Sequence, residues 1–257
     1  MSEERRDAVV RLLSGSGYLT VEDIAKRLYV SVPTVRRDLK KLADKGLIKR
    51  VHGGASYVGQ DTFEWPFDMR SRVNLQEKRL IAQAAADLIE DGAHIFLDAG
   101  STCYFLAEAL DPKLHLTVLC NGLSTVERLG THVNTLIECP GGQYRPSHWS
   151  IFGEEAASFI STRHADYYFA SATALHSGTG ASIRTLLEMS VKRAMHAHAD
   201  CTVLLMDHSK METQNYYHVF DLSEIDILVT NAPLPKTMAK ACRDAGVTVM
   251  LPDKKKY

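Results

Sequence analysis

Residues 30–55 read VSVPTVRRDLKKLADKGLIKRVHGGA. In this stretch Val35, Leu39 and Leu42 recur at i, i+4 and i+7, which predicts a helix with one apolar face. Ser31 is placed to cap its start, and Gly46 to stop it. The opposite face carries Thr34, Arg36, Arg37, Lys40 and Lys41. Beyond the glycine, Leu47 to Val51 predicts a short strand, and the His52-Gly53-Gly54 turn sends the chain back through Ala55 to Val58 as a second strand. That pair is a β-wing.

Working upstream, two more helices are predicted. Residues 3–14 place Ala8, Val9, Leu12 and Leu13 on one stripe, ended by Gly15 and Gly17. Thr20 then caps a helix running to Leu28, with Ile24, Ala25 and Leu28 inward and Glu22 and Asp23 in the favourable first turn. Only Tyr29 and Val30 separate it from the next helix, the spacing of a helix-turn-helix whose second helix enters the major groove. Charge agrees: residues 1–60 hold 12 Lys and Arg against 7 Asp and Glu, a net +5, on a remainder of −6. In that geometry Thr34, Arg36 and Arg37 are candidates for base edges, and Ser31 is a DNA-binding candidate that caps the helix whatever it binds. Lys40, Lys41, Lys49 and Arg50 are candidates for phosphates, and His52 for a wing-tip contact. The bland alternative is a solvated basic face laced by Asp38, and the complete series of cap, turn, helix and wing outweighs it.

Residues Val30, Ser31, Thr34 to Leu39, Arg50 and His52 to Ala55 together resemble the signature of the DeoR family of bacterial transcriptional regulators. The resemblance implies operator binding by a winged helix-turn-helix at residues 1–57.

Residues 58–75, with Gly59 and Pro66, predict a linker in which Phe63, Trp65 and Phe67 pack on a domain or across a dimer. From Glu77 helical and strand patterns alternate. Helices are predicted over 78–89, 102–110, 124–129, 154–160, 185–196 and 236–244. Strands are predicted over 94–97, 116–119, 135–138, 167–170, 202–205, 227–229 and 247–250. This is an α/β domain with a mostly parallel sheet over residues 76–257. Ligands of such sheets bind past the carboxyl ends of strands. The richest end is Asp98-Ala99-Gly100-Ser101-Thr102, where a tight turn runs into a helix N-terminus that suits a phosphate. Asn121, Gly141 with Gly142, and Asp207 with Lys210 follow other strands, and together they suit a phosphorylated, polyhydroxylated ligand.

The same positions, with Gly153 and Ser209, resemble the DeoR sensor domain, which is related in fold to ribose-5-phosphate isomerase and CoA transferases. The resemblance implies a cytoplasmic regulator, usually a repressor of a carbohydrate operon, released by a phosphorylated sugar. Two positions depart from the family pattern. Ser171, Ala172, Thr173 and Ala174 stand where a Gly-rich turn is usual, with Gly178 and Gly180 only later, and Asn231 stands where Asp is common.

Rival classes are weaker. An isomerase-like enzyme could cast Asp98, Asp207, Glu188 and Lys210 in proton transfer, but Glu188 and Lys192 read as an i, i+4 pair on a solvated helix face. A metal sensor would need His196 and His198 to converge, and two residues apart on a helix they diverge by about 200°. We therefore expect no metal, no cofactor and no catalytic residue. Composition excludes disorder, with 45% hydrophobic and 24% charged residues. No apolar run of membrane-spanning length occurs and no signal core follows the start, so a cytoplasmic protein that begins here is expected. Cys103, Cys120, Cys139, Cys201 and Cys242 read as buried thiols. Because one helix-turn-helix reads few base pairs, a homo-oligomer of at least two copies is expected, joined through body and linker.

Overall fold

The computed structural model describes residues 2–16, 18–45, 47–51, 53–57 and 67–252. Gly46, His52, which was expected at the wing tip, and residues 58–66 of the expected linker, with Phe63 and Trp65, lie outside the described residues. The chain forms two compact units, Met1–Pro66 and Phe67–Tyr257.

The first unit runs α1 (Ser2–Ser16), β1 (Tyr18–Thr20), α2 (Val21–Leu28), α3 (Val32–Asp44), β2 (Ile48–Val51) and β3 (Gly54–Tyr57). Val9, Leu13, Ile24, Val35, Leu39, Leu42 and Ile48 close its core, each large side chain contributing about 1.5–3 kcal/mol by leaving water. Thr20 caps α2 by accepting from the Asp23 N–H at 2.9 Å. Tyr29 ends α2 in the left-handed region at φ 54°. The wing has a third strand that the sequence pattern did not reveal: β1 pairs antiparallel with β3, giving the order β1-β3-β2. At three residues β1 is too short to show alternation.

One reading of α3 needs correction, and the bland alternative for it falls. Ser31 occupies the N-cap position, but its Oγ shares a hydrogen bond with Thr34 Oγ1 at 2.9 Å instead of capping the backbone. Pro33 in the first turn brings no N–H, so one fewer donor there needs a cap. Asp38 is not part of a solvated lace, for it is 4% exposed and accepts from Arg5 Nε at 2.6 Å, with Arg6 at 3.9 Å. The only acid between the basic residues of α3 thus ties that helix to α1.

The second unit continues with α4 (Phe67–Arg72), α5 (Leu75–Ala86), β4 (His94–Leu97), α6 (Ser101–Ala109), β5 (Leu116–Cys120), α7 (Leu123–Leu129) and β6 (Thr135–Glu138). A hairpin follows, β7 (Gln143–Arg145) and β8 (Ser150–Phe152), then α8 (Glu154–Ile160) and β9 (Ala165–Ala170). Next come β10 (Ala174–His176), β11 (Gly180–Ile183), α9 (Met189–Ala197), β12 (Ala199–Leu205), β13 (Tyr217–Phe220), β14 (Ile227–Val229), α10 (Lys236–Ala245) and β15 (Thr248–Met250). Seven strands form one sheet in the order β15-β14-β12-β9-β4-β5-β6, every neighbouring pair parallel. From β4 the chain builds outward through β5 and β6, then returns to the other side of β4 with β9 and builds the opposite way. The reversal between β4 and β9 is the topological switch point, where such sheets leave a crevice at the strands' carboxyl ends.

Alternate residues of each strand feed opposite faces, as the pleat requires. Phe96, Tyr168, Leu204 and Leu228 join the core under α8, α9 and α10. Ile95, Phe169, Val203 and Val229 join the core under α5 and α6. Residues 67–72, expected as irregular linker, form α4, and α5 begins at Leu75, not Lys78, behind Asn74 in the left-handed region. A small antiparallel sheet, β10-β11-β13, was also unforeseen, its strands only three or four residues long. Of the five cysteines, all free, Cys139 and Cys201 are half-buried. Burial pushes the Cys120 thiol to about 12 and the Cys201 thiol to about 11. No helix among the described residues is long and apolar enough to cross a membrane.

Candidate nucleic-acid interface and effector site

On the first unit, Arg36, Arg37, Lys40 and Lys41 stand exposed along α3, and Lys49 and Arg50 along β2. None of the six has an ion-pair partner among the described residues, so the positive potential of this face is not neutralised from within. Arg36 and Arg50 line one depression with Glu22 at the start of α2 and Gly53 and Gly54 of the wing. Ser31 is exposed and Thr34 half-buried at the leading turn of α3. Recognition helix and wing therefore present their cations together.

On the second unit, the parallel sheet brings the carboxyl ends of all seven strands to one rim. Asp98 follows β4, Asn121 follows β5, Gly141 and Gly142 lie past β6, Ser171 follows β9, and Asp207 and Lys210 lie past β12. At the switch point the chain is stitched together by Asp98, which is 3% exposed. One carboxylate oxygen accepts from the Ala99 N–H at 2.9 Å. The other accepts from the Ser171 N–H at 2.9 Å, from Ser171 Oγ at 2.6 Å and from Lys192 Nζ. Lys192 also donates to the Ser171 carbonyl at 2.8 Å and lies 3.2 Å from Glu188.

This corrects the reading of Glu188 and Lys192 as a solvated pair. Lys192 is 2% exposed, and its main partner lies far away in sequence. It was missed because i, i+4 spacing to an acid is the mark of a surface ladder. The available signal was its place beside Val191 and Met195, both inward on α9. Ser171 gains a meaning too, for its hydroxyl supplies a donor that a glycine could not. The close fit also explains Gly100, since a Cβ there would overlap the Ser171 side chain.

A second knot forms past β12. Asp207, 1% exposed, accepts from Ser209 N at 3.1 Å, from Ser209 Oγ and from Asn74 Nδ2 at 2.9 Å. Burial pushes its carboxyl up, but the Lys210 ammonium and these donors outweigh that and hold it below the ordinary range. Lys210 donates to the Ala172 carbonyl at 2.9 Å, so the two knots meet along residues 171 and 172. Buried Lys78 donates to the carbonyls of Arg70 and Val73. Desolvation, and next the charge of Lys210, lower its ammonium to about 7. Lys78 and Asn74 were not foreseen from sequence.

Thr102 and Ser101 are buried in the first turn of α6, behind Gly100 at its N-cap. Asn121 donates from Nδ2 to the Ile151 carbonyl at 3.1 Å. Gly142, at φ 136°, lets β7 approach, as a Cβ would sit 2.6 Å from the Phe152 carbonyl, whereas Gly141 faces open space. Asn231, the second departure, pairs with His208 by accepting from its N–H at 2.9 Å and facing its Nδ1 at 3.0 Å. His196 and His198 bond locally, to Thr202 Oγ1 and the Ala194 carbonyl.

Comparison with known proteins gives the following. Residues 5–61 match the DeoR-like helix-turn-helix domain and residues 73–232 the DeoR C terminal sensor domain. The chain is 32% identical to the HTH-type transcriptional repressor CsqR of Escherichia coli (strain K12), over 96% of this chain and 95% of that one. It is 28% identical to the Glycerol-3-phosphate regulon repressor of the same organism, over 96% and 98%. Among solved structures, ribose 5-phosphate isomerase A from Methanocaldococcus jannaschii aligns at a TM-score of 0.41 and 17% identity, over 54% of this chain and 55% of that one.

Proposed function

The chain belongs to the DeoR family of transcriptional regulators, and from that premise we propose that it represses a carbohydrate catabolic operon and is released by a phosphorylated sugar bound at the rim of its sensor sheet. The observation that supports the effector half is that the Gly100–Thr102 turn, Asn121 and Lys210 all lie past carboxyl ends of strands of one parallel sheet, at the rim that holds the switch point. Backbone N–H groups at the start of α6, with the Ser101 and Thr102 hydroxyls, suit a phosphate. Lys210 adds the cation. Asp98 acts by position, since its carboxylate is already engaged by Ala99, Ser171 and Lys192 and holds the turn at the rim. Asp207 orients Lys210 and Asn74 in the same manner.

In the DNA half, Thr34, Arg36 and Arg37 read base edges from the leading turns of α3, with Ser31 orienting Thr34. Lys40, Lys41, Lys49 and Arg50 meet phosphates, with His52 at the wing tip. The functional unit is a homo-oligomer of at least two copies in the cytoplasm, with the connection between the DNA-binding and sensing parts ending before α4. Isomerase chemistry is disfavoured because Asp98 and Glu188, the carboxylates it would want free, are both held by Lys192.

A thermal-shift screen across phosphorylated sugars, followed by operator binding with each hit, tests the proposal. A hit that raises the melting temperature and weakens operator binding supports it. A full panel without such a ligand refutes the effector half.

A further inference from the structure

Among the buried side-chain oxygens without a hydrogen-bond partner among the described residues are two that lie next to each other in the fold, Asn121 Oδ1 and Ser150 Oγ. Asn121 is 1% exposed and Ser150 fully buried. The orientation of the Asn121 amide is fixed by its Nδ2, which must face the Ile151 carbonyl. Oδ1 is therefore the atom left unmatched. An unmatched buried oxygen is uncommon, and it is costly to the fold if nothing reaches it.

Gly122 relates these oxygens to the switch point. It forms an antiparallel bridge with Ser150, and residues paired this way send their side chains to one face. A Cβ on Gly122 would lie 3.0 Å from Ala99 Cα and 3.4 Å from Thr125 Oγ1. The Ser150 hydroxyl thus lies on the side of the bridge that faces Ala99, one residue before Gly100. Thr125 Oγ1 is itself buried without a nitrogen or oxygen partner and neighbours the Cys120 thiol. The cover over this region is the β7–β8 hairpin, whose outer strand β7 is exposed throughout. It is held to the rim by Ile151 N donating to the Asn121 carbonyl at 2.9 Å and by Leu123 N donating to the Trp149 carbonyl at 2.7 Å.

We infer that Asn121, Ser150 and Thr125 form a hydroxyl-reading subsite, which takes the carbon-chain hydroxyls of the effector while its phosphate rests at the Gly100–Thr102 turn. The inference rests on the proposed effector site and adds to it the group that discriminates between ligands. Asn121 Oδ1 can only accept, so it repels an anionic oxygen and takes an O–H. Ser150 Oγ accepts or donates, matching a second hydroxyl. A site whose buried polar groups need partners rejects a ligand lacking them far more strongly than an apolar pocket rejects an extra atom.

The experiment compares full-length wild type, Ser150→Ala and Thr125→Val by calorimetry with glucose 6-phosphate, fructose 6-phosphate, ribose 5-phosphate, glycerol 3-phosphate and inorganic phosphate. Each variant should weaken the tightest sugar phosphate by about tenfold, the value of one buried hydrogen bond, and change inorganic phosphate less than twofold. Without ligand, Ser150→Ala should melt no lower than wild type, because it removes an oxygen that has no partner. If wild type binds a sugar phosphate and both variants bind it equally well, or if both lose inorganic phosphate in parallel, the oxygens serve only structural water and the subsite is refuted. If wild type binds no sugar phosphate, the effector proposal itself falls and takes the subsite with it.

Discussion

Lys192 and Asp98 meet in a site almost closed to water, where each charge depends on the other. Removing one partner from such a pair strands the other and costs about 3–5 kcal/mol, whereas replacing both with neutral groups is often tolerated. Lys192→Met should therefore lower the free energy of unfolding of the sensor unit by about that amount, and Asp98→Asn with Lys192→Met should recover most of it. Urea denaturation of the three proteins is the check, and a single variant within 1 kcal/mol of wild type would contradict the reading. Lys78 offers a test of sign. Burial, followed by the charge of Lys210, lowers its ammonium from 10.5 to about 7. Between those values the unfolded chain holds a proton that the folded one lacks. Stability contributed by this residue therefore rises as pH climbs from about 7 towards 10. Denaturation midpoints against pH should show that rise in wild type and lose it in Lys78→Met.

At the scale of elements, α3 is the part whose behaviour is easiest to separate experimentally. Arg37→Ala should weaken specific operator binding by about 1–3 kcal/mol if the guanidinium reads a base. Lys40→Ala should weaken specific and random duplexes alike and reduce the salt slope by about 0.9. Gel-shift titrations on both duplexes at several salt concentrations distinguish them, and equal loss on both duplexes for Arg37→Ala would make it a phosphate contact. This helix was legible in sequence because Val35, Leu39 and Leu42 mark one face and a two-residue turn precedes it. Strands β4, β5, β6 and β9 were legible as short apolar runs at regular intervals. The strands β1, β10 and β11 were not, since their pairing partners are set by tertiary structure and not by a local pattern. For the same reason the rim was visible as a row of strand ends while its wiring was hidden. Asp98 meets Ser171 and Lys192 across 73 and 94 residues of chain, a relation that local spacing does not encode.

For the whole molecule, repression and release require that sugar phosphate and operator favour different states of one protein, with a coupling typically of about 1–3 kcal/mol. A change that blocks the ligand without touching the DNA-binding unit should leave the protein on its operator. Thr102→Val is the sharpest such change, being nearly equal in size and missing only the hydroxyl at the first turn of α6. Fluorescence anisotropy of labelled operator, titrated with the sugar phosphate that best stabilises wild type, measures this directly. The account predicts equal operator affinity for wild type and Thr102→Val in the absence of ligand, and a release midpoint for the variant shifted by about tenfold or more, the loss of one charge-assisted hydrogen bond to phosphate. A variant released at the same concentration as wild type would contradict it and move the effector away from the switch point.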